Sequence, residues 1–229
     1  MSEPSKLLLV DVGNTRIKYI SDNSDTVRYA GAFDSLPLSG VDEVRIATVS
    51  RHEEIAEWSK SLNIRVRIAK VLKSHKGLTV VYDDVSRLGV DRWLAMLTLW
   101  VESGKGFSVV DLGTAITADF VNDAGKHIGG YIVPGYRLMK EALGLNTAQV
   151  GFGGDSSDIE PGANTEGCVD HGINRMVCSL IADIDRGEGK EKPLVLTGGD
   201  AEKLVNSESG LNAEIDETLV IRGLRYCFE

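Results

Sequence analysis

Two stretches of this chain are built alike. "LLLVDVGNT" (7–15) and "FSVVDLGTA" (107–115) each run a hydrophobic strand into Asp-x-Gly, at Asp11 and Asp111, 100 positions apart (111 − 11). Each then resumes as a strand, "RIKYIS" and "AITADFVN". Each motif therefore occupies the bend of a β-hairpin and opens one half of the chain. Glycine lets a backbone approach a ligand closely, and neighbouring N–H groups and hydroxyls can grip phosphate oxygens. The aspartate can hold a cation, directly or through water. One copy alone would be ordinary turn chemistry; two copies in matching strand contexts point to a paired device. No G-x-x-x-x-G-K-[ST] is present, nor a G-x-G-x-x-G between a strand and a helix.

The elements between these bends alternate. "TVRYAGAF" and the β-branched "VDEVRIATVS" read as strands. "RHEEIAEWSKSLN" places Ile55, Trp58 and Leu62 at helical spacing, and "IRVRIAKVL" returns to strand alternation. A helix near Asp91 aligns Trp93, Leu94, Leu97, Trp100 and Val101. After the turn "NDAGKH" come helices at "GYRLMKEAL" and beyond Asn164, the latter with Ile173, Met176, Val177, Leu180, Ile181 and Ile184 on one stripe. "PLVLTGG" is a buried strand and "DAEKLVNSE" a short helix, while "LVIRGLRYCF" reads as helix or strand. The class is α/β, divided at residues 1–105 and 106–229.

At 229 residues with 42% hydrophobic and 26% charged residues, the chain can bury a real core. The net charge of −9 argues against a general nucleic-acid surface, although a locally positive pocket still suits an anionic small substrate. No apolar run approaches a membrane span, and "MSEPSKLLLV" lacks the basic start of a signal peptide. Cys168, Cys178 and Cys227 have no metal spacing and suit a reducing cytoplasm as buried small hydrophobes. His52, His75, His127 and His171 likewise show no metal spacing and read as surface or loop residues.

The paired bends resemble the actin-like ATPase and sugar-kinase superfamily, whose two ribonuclease H-like half-domains clamp ATP in the cleft between them. "LGVDRW" (88–93), "DLGTAIT" (111–117), "GGYIVPG" (129–135), "NTEGCVDHG" (164–172) and "TGGDA" (197–201) narrow the match. With "DVGNT" they form six motifs in the order of type III pantothenate kinase, which phosphorylates pantothenate with ATP in coenzyme A biosynthesis. The resemblance runs from about residue 7 to residue 201.

That resemblance implies a set of roles. Asp91 of Gly-x-Asp-Arg would be the general base for the acceptor hydroxyl; read alone, it would cap the helix starting at Arg92 or Trp93. Arg92 would hold the pantothenate carboxylate, with Gly89, Val90 and Tyr82 in the same pocket. Asp11, Val12, Gly13, Asn14, Thr15, Arg16, Ile17 and Lys18 would form the first phosphate loop, with Asp11 organising Mg²⁺. Thr114 would grip phosphate from the second loop, and Asp111 would bind a monovalent cation, K⁺ or NH₄⁺. Gly198 and Gly199 would let backbone pass close to the nucleotide. The resemblance further implies a homodimer with a shared active site, into which Thr165 reaches from the neighbouring subunit, and the Ile173–Ile184 stripe would serve either that interface or the subunit's own core.

The chain departs from the family at "DDVSR", where a proline is common, and at "NTAQV", where Leu-Pro is common. Both alter loop shape and leave the charged groups alone. Another kinase or phosphatase of the superfamily, and an accessory factor for transcription, are the competing readings. A catalytically dead regulator would have lost a key carboxylate, and Asp11, Asp91 and Asp111 are all present.

Overall fold

The computed structural model describes residues 6–13, 16–21, 24, 26–146, 156–187, 192–206 and 213–228. It divides the chain into two compact units, Met1–Gly104 with Thr218–Glu229, and Lys105–Glu217.

In the first unit the apolar run becomes β1 (Leu7–Val12) and pairs antiparallel with β2 (Ile17–Ser21), Asp11 opposite Lys18. β3 (Arg28–Ala30) extends that arm, while β4 (Glu43–Thr48) and β5 (Arg65–Ile68) add in parallel, separated by α1 (His52–Lys60). The strand order is β3-β2-β1-β4-β5. Central strands are covered on both faces, so β1 and β4 are almost wholly buried. Leu8, Val10 and Val12 pack with Ile55 and Trp58 of α1. Successive side chains alternate across a sheet, so Leu9 and Asp11 point to the opposite face. A two-stranded ribbon follows, β6 (Ser74–His75) and β7 (Leu78–Thr79), turning through Lys76 and Gly77, both at positive φ, as a two-residue hairpin requires. Then comes α2 (Val90–Ser103), with Trp93, Leu94 and Leu97 fully buried and Trp100 half-buried.

The second unit repeats the plan. β8 (Phe107–Leu112), β9 (Ala115–Val121) and β10 (His127–Pro134) form the antiparallel arm. After α3 (Tyr136–Asn146) and α4 (Thr165–Arg186), β11 (Leu194–Thr197) joins β8 in parallel; α5 (Ala201–Asn206) and β12 (Glu214–Ile215) complete the order β10-β9-β8-β11-β12. The position-for-position match to the first sheet is the doubled α/β architecture expected from the repeated hairpin. Asn164 caps α4 by accepting the Gly167 N–H at 2.8 Å. Ile173, Val177, Ile181 and Ile184 enter the core of their own unit, while Met176 stays exposed.

The closing segment is a helix, α6 (Leu219–Tyr226), and belongs to the first unit instead of the second half in which the 105/106 division placed it. It packs on β1, β4 and α2. A Cβ at Gly223 would come within 2.6 Å of the Leu94 carbonyl oxygen, so glycine is what lets the two helices meet. Buried Arg45 donates to the Leu224 and Arg225 carbonyls at 3.1 and 2.9 Å and pairs with Glu43 at 2.7 Å. A guanidinium beneath the last carbonyls complements the helix dipole, and the carboxylate compensates its burial.

Three other expectations need correcting. The segment after the turn "NDAGKH" is a strand, β10, that no alternation marks; Gly129 and Gly130 interrupt its pattern, and a bulge between His127 and Gly129 absorbs the irregularity. His127 is a core residue, its Nε2 lying 3.0 Å from the Asp119 carboxylate. His75 is half-buried and bonded to the Tyr226 carbonyl at 2.9 Å, His171 is half-buried too, and Cys168 is exposed.

Candidate functional site

In the first unit β1 ends in a bend closed by Gly13 N–H donating to the Arg16 carbonyl at 3.0 Å. Val12 and Ile17 are register partners whose side chains enter the core, so only their backbones can face a ligand. Arg16 is exposed, its guanidinium 5.9 Å from the Tyr29 ring. Asn14 and Thr15 lie outside the described residues. Lys18 is half-buried opposite Asp11.

Asp11 is half-buried, and its pKa is pushed up to about 6. Burial is the main cause; Lys18 opposes it, and the nearby Asp91 charge adds to it. Alternation along β1 explains the coupling, because Asp11 occupies the sheet face opposite α1, the face that α6 and α2 cover. A carboxylate such as Asp11 suits a Mg²⁺ ion, which takes one or two carboxylates and completes its shell with water and phosphate oxygens.

The segment entering α2 is organised turn by turn. Asp84 accepts the Ser86 N–H at 3.0 Å and its hydroxyl at 2.6 Å, fixing the single turn Val85–Arg87. Gly89 is the N-cap of α2 and makes no side-chain cap. Asp91 therefore stands inside the first turn of a helix that begins at Val90, earlier than the sequence suggested, where the dipole favours its charge. Its carboxylate accepts the Arg92 N–H at 2.8 Å. A Cβ at Gly89 would sit 2.5 Å from Asp91 Oδ1, so glycine leaves room for that carboxylate.

Arg92 is buried and donates to the Tyr82 hydroxyl at 3.2 Å, with its guanidinium carbon 5.9 Å from the ring centroid. Tyr82 lies beyond β7 in irregular chain, where Lys73 donates to its carbonyl at 2.6 Å. Tyr82, Asp91 and Arg92 are thus joined by hydrogen bonds, and Asp11 lies in the same unit.

In the second unit the bend after β8 is shorter and tightly enclosed. Gly113 N–H donates to the Ala115 carbonyl at 3.2 Å, and Gly135 N–H to the Thr114 carbonyl at 3.0 Å. Cβ atoms at Gly135 would lie 2.2 Å from Gly113 O, and at Gly198 would lie 2.4 Å from Asp111 Oδ1. Gly198 also has φ +92°, so it is needed twice over. Asp200 N–H adds a bond to the Leu112 carbonyl at 3.1 Å. Gly198 thus packs on the loop itself, and a Cβ at Gly199 would meet nothing within 4 Å. Thr114 stands exposed at the tip. Asp111 is half-buried; one carboxylate beside backbone carbonyls is donor chemistry suited to a hard cation. Thr165 is exposed at the first residue of α4. Among the described residues, no group of three or more His, Cys, Asp or Glu could hold a metal ion.

Gly135 escaped notice as a loop-packing residue. Its signal was Pro134-Gly135 in "GGYIVPG", legible as a turn but silent about what the turn presses against. Burial pushes the pKa of the following Tyr136 up, with Cys178 and Asp200 adding, so its hydroxyl stays neutral.

The family model described as type III pantothenate kinase matches residues 30–186. A type III pantothenate kinase of Marinobacter nauticus is 36% identical over 235 residues, covering 95% of this chain and 96% of its own. One from Chromohalobacter salexigens is 37% identical, covering 97% and 87%. A crystal structure of a protein described as a Baf family transcriptional activator, from Campylobacter jejuni, aligns with TM-score 0.66 at 22% identity, covering 96% and 95%. That likeness bears on the fold, as does one to a protein described as a 2-dehydro-3-deoxygalactonokinase, from Sinorhizobium meliloti, with TM-score 0.58 at 14% identity, covering 97% of each chain.

Proposed function

The chain belongs to the type III pantothenate kinase family, and on that premise we propose that it transfers the γ-phosphoryl group of ATP to pantothenate, with Asp91 as general base. The pantothenate hydroxyl oxygen forms a bond to the γ-phosphorus, the bond to the ADP oxygen breaks, and the hydroxyl proton passes to the Asp91 carboxylate. Arg92 pairs with the pantothenate carboxylate, oriented by Tyr82. Gly89 and Val90 offer backbone at the same place.

The bend from Asp11 to Lys18 and the bend at Thr114 bind the phosphates of ATP. Asp11 holds Mg²⁺, directly or through water, and Asp111 holds a monovalent cation. When bound, the two ions neutralise phosphate charge. The observation that supports this reading is the first turn of α2, where Gly89 leaves room for the Asp91 carboxylate and the next residue, Arg92, donates to the Tyr82 hydroxyl at 3.2 Å. Coupled ADP-release assays test it. Asp91→Asn must lose turnover while keeping its fold, and a variant with near-wild-type kcat removes Asp91 from the mechanism. Replacing potassium by sodium must lower the rate if Asp111 holds its ion.

A homodimer with Thr165 completing the partner's site is part of the proposal. Its support is a set of exposed apolar side chains on the second unit, Ile128, Tyr131 and Ile132 on β10 and Leu143 and Leu145 on α3. The buried stripe of α4 does not contribute. Sedimentation that finds a monomer at assay concentrations contradicts it. The protein acts in the cytoplasm in this reading. Among the described residues no helix is long and apolar enough to cross a membrane.

A further inference from the structure

In the first unit a cavity of about 470 Å³ opens where the carboxyl ends of β4 and β5 meet the segment leading into α2. Crevices at the carboxyl ends of parallel strands are the usual ligand positions in α/β sheets. Thr48 and Ala69 mark the strand ends, and Gly89 and Val90 form the wall shared with the first turn of α2. The remaining lining includes three basic side chains, His52, Lys70 and Arg87, and no acidic one.

Among the described residues these three side chains make no hydrogen bond or ion pair. Of the acids adjacent in sequence, Glu53 and Asp83 are exposed and do not line the cavity, and the other two are engaged. Asp84 is turned onto Ser86 at 2.6 Å, and Glu54 is paired with Arg51 at 2.6 Å. A protein with net charge −9 has thus gathered uncompensated positive charge around one concavity, where low-dielectric walls focus its potential. Val49, Val71 and Leu88 supply apolar wall for the carbon part of a ligand.

We infer that this cavity is an oxyanion subsite that takes the phosphate group of a small molecule, held by Lys70, Arg87 and His52 beside the Asp91 segment. Arg87 offers a planar fork and Lys70 a point charge, the usual pair for a phosphate. None of the three belongs to the proposed catalytic or nucleotide-binding set, so the subsite stands on the cavity and its charges. Its ligand has two possible sources: the phosphorylated product of the proposed kinase reaction, or an unrelated phosphorylated metabolite.

The test titrates inorganic phosphate into full-length ¹⁵N-labelled protein at constant ionic strength, reading backbone amide shifts. Saturable shifts confined to residues 48–52, 69–71 and 85–90 are expected. In Lys70→Ala/Arg87→Ala the midpoint should rise by about tenfold or more, equivalent to about 1.4 kcal/mol, and Arg87→Lys should fall between. Both replaced side chains are exposed, so the fold is retained and the KM for ATP stays within about twofold. An unchanged midpoint in the double variant, or shifts that never saturate, overturns the subsite. A second arm adds 4′-phosphopantothenate. Displacement of phosphate assigns the subsite to the product, and co-occupancy assigns it to a separate metabolite. Only that arm rests on the kinase reading, so failure of one is distinguishable from failure of the other.

Discussion

The two hairpin bends share a strand plan and an Asp-x-Gly, yet they are held in different ways. In the first unit, among the described residues, a Cβ at Gly13 would approach nothing closer than the Arg16 carbonyl at 3.3 Å, and Asp11 feels the charges of Lys18 and Asp91. In the second, backbone encloses the bend, with Gly135 and Gly198 pressed onto Gly113, Thr114 and Asp111. What differs is how tightly backbone packs around each bend. The duplicated plan supplies the position of a phosphate loop, and neighbours added separately to each copy decide its task.

The largest expected effect concerns the first unit. Asp91→Asn should lower kcat by about 10²- to 10⁴-fold, the usual share of a general base, with an unchanged thermal melt. Retention of activity would move the base elsewhere in the unit.

Gly135→Ala comes next and tests the enclosed bend. Its Cβ has no room against Gly113 O, so the loop must shift, at about 1–3 kcal/mol of stability and with a raised KM for ATP. Gly13→Ala, with a looser contact, should cost less than about 1 kcal/mol. Denaturant titrations that rank these two the other way would reverse the contrast between the bends.

A smaller effect concerns Asp11 without metal. Its folded pKa is raised from 3.8 to about 6, so folding disfavours the ionised form. Its contribution to stability is fully present below about 3.8 and is lost as pH rises through about 6. Asp11→Asn should therefore stabilise the metal-free protein by about 1–3 kcal/mol above pH 7, allowing for solvent screening, and by nearly nothing near pH 3.5. Added Mg²⁺ should narrow the difference. Equal effects at both pH values would show that the carboxyl is not strained by its setting.

Smallest of all, Lys18→Met should move the Asp11 pKa further up, because Lys18 is the group that opposes its burial. Carbonyl-carbon NMR titration measures it, and a downward shift would remove Lys18 as a partner.

Much of this was legible in residue order. Both hairpins, the strands after them and the helix beyond Asn164 follow from period and turn chemistry, which act over a few residues. The Gly-x-Asp-Arg motif and the bend could be singled out because they are local patterns. β10 was missed because two glycines and a bulge erase the alternation that marks a strand. His127 was misread because histidine is no guide to burial until its neighbour Asp119 is known.

The sequence by itself determined that the fold is doubled and where each carboxylate sits along its strand or helix, because backbone period and turn stereochemistry are properties of short segments. Tertiary structure alone decided that α6 returns to the first unit, that Gly135 and Gly198 enclose the second bend, and that Asp11 and Asp91 share an electrostatic environment. Each of these depends on contacts between residues far apart in the chain, and on burial, which no short segment specifies.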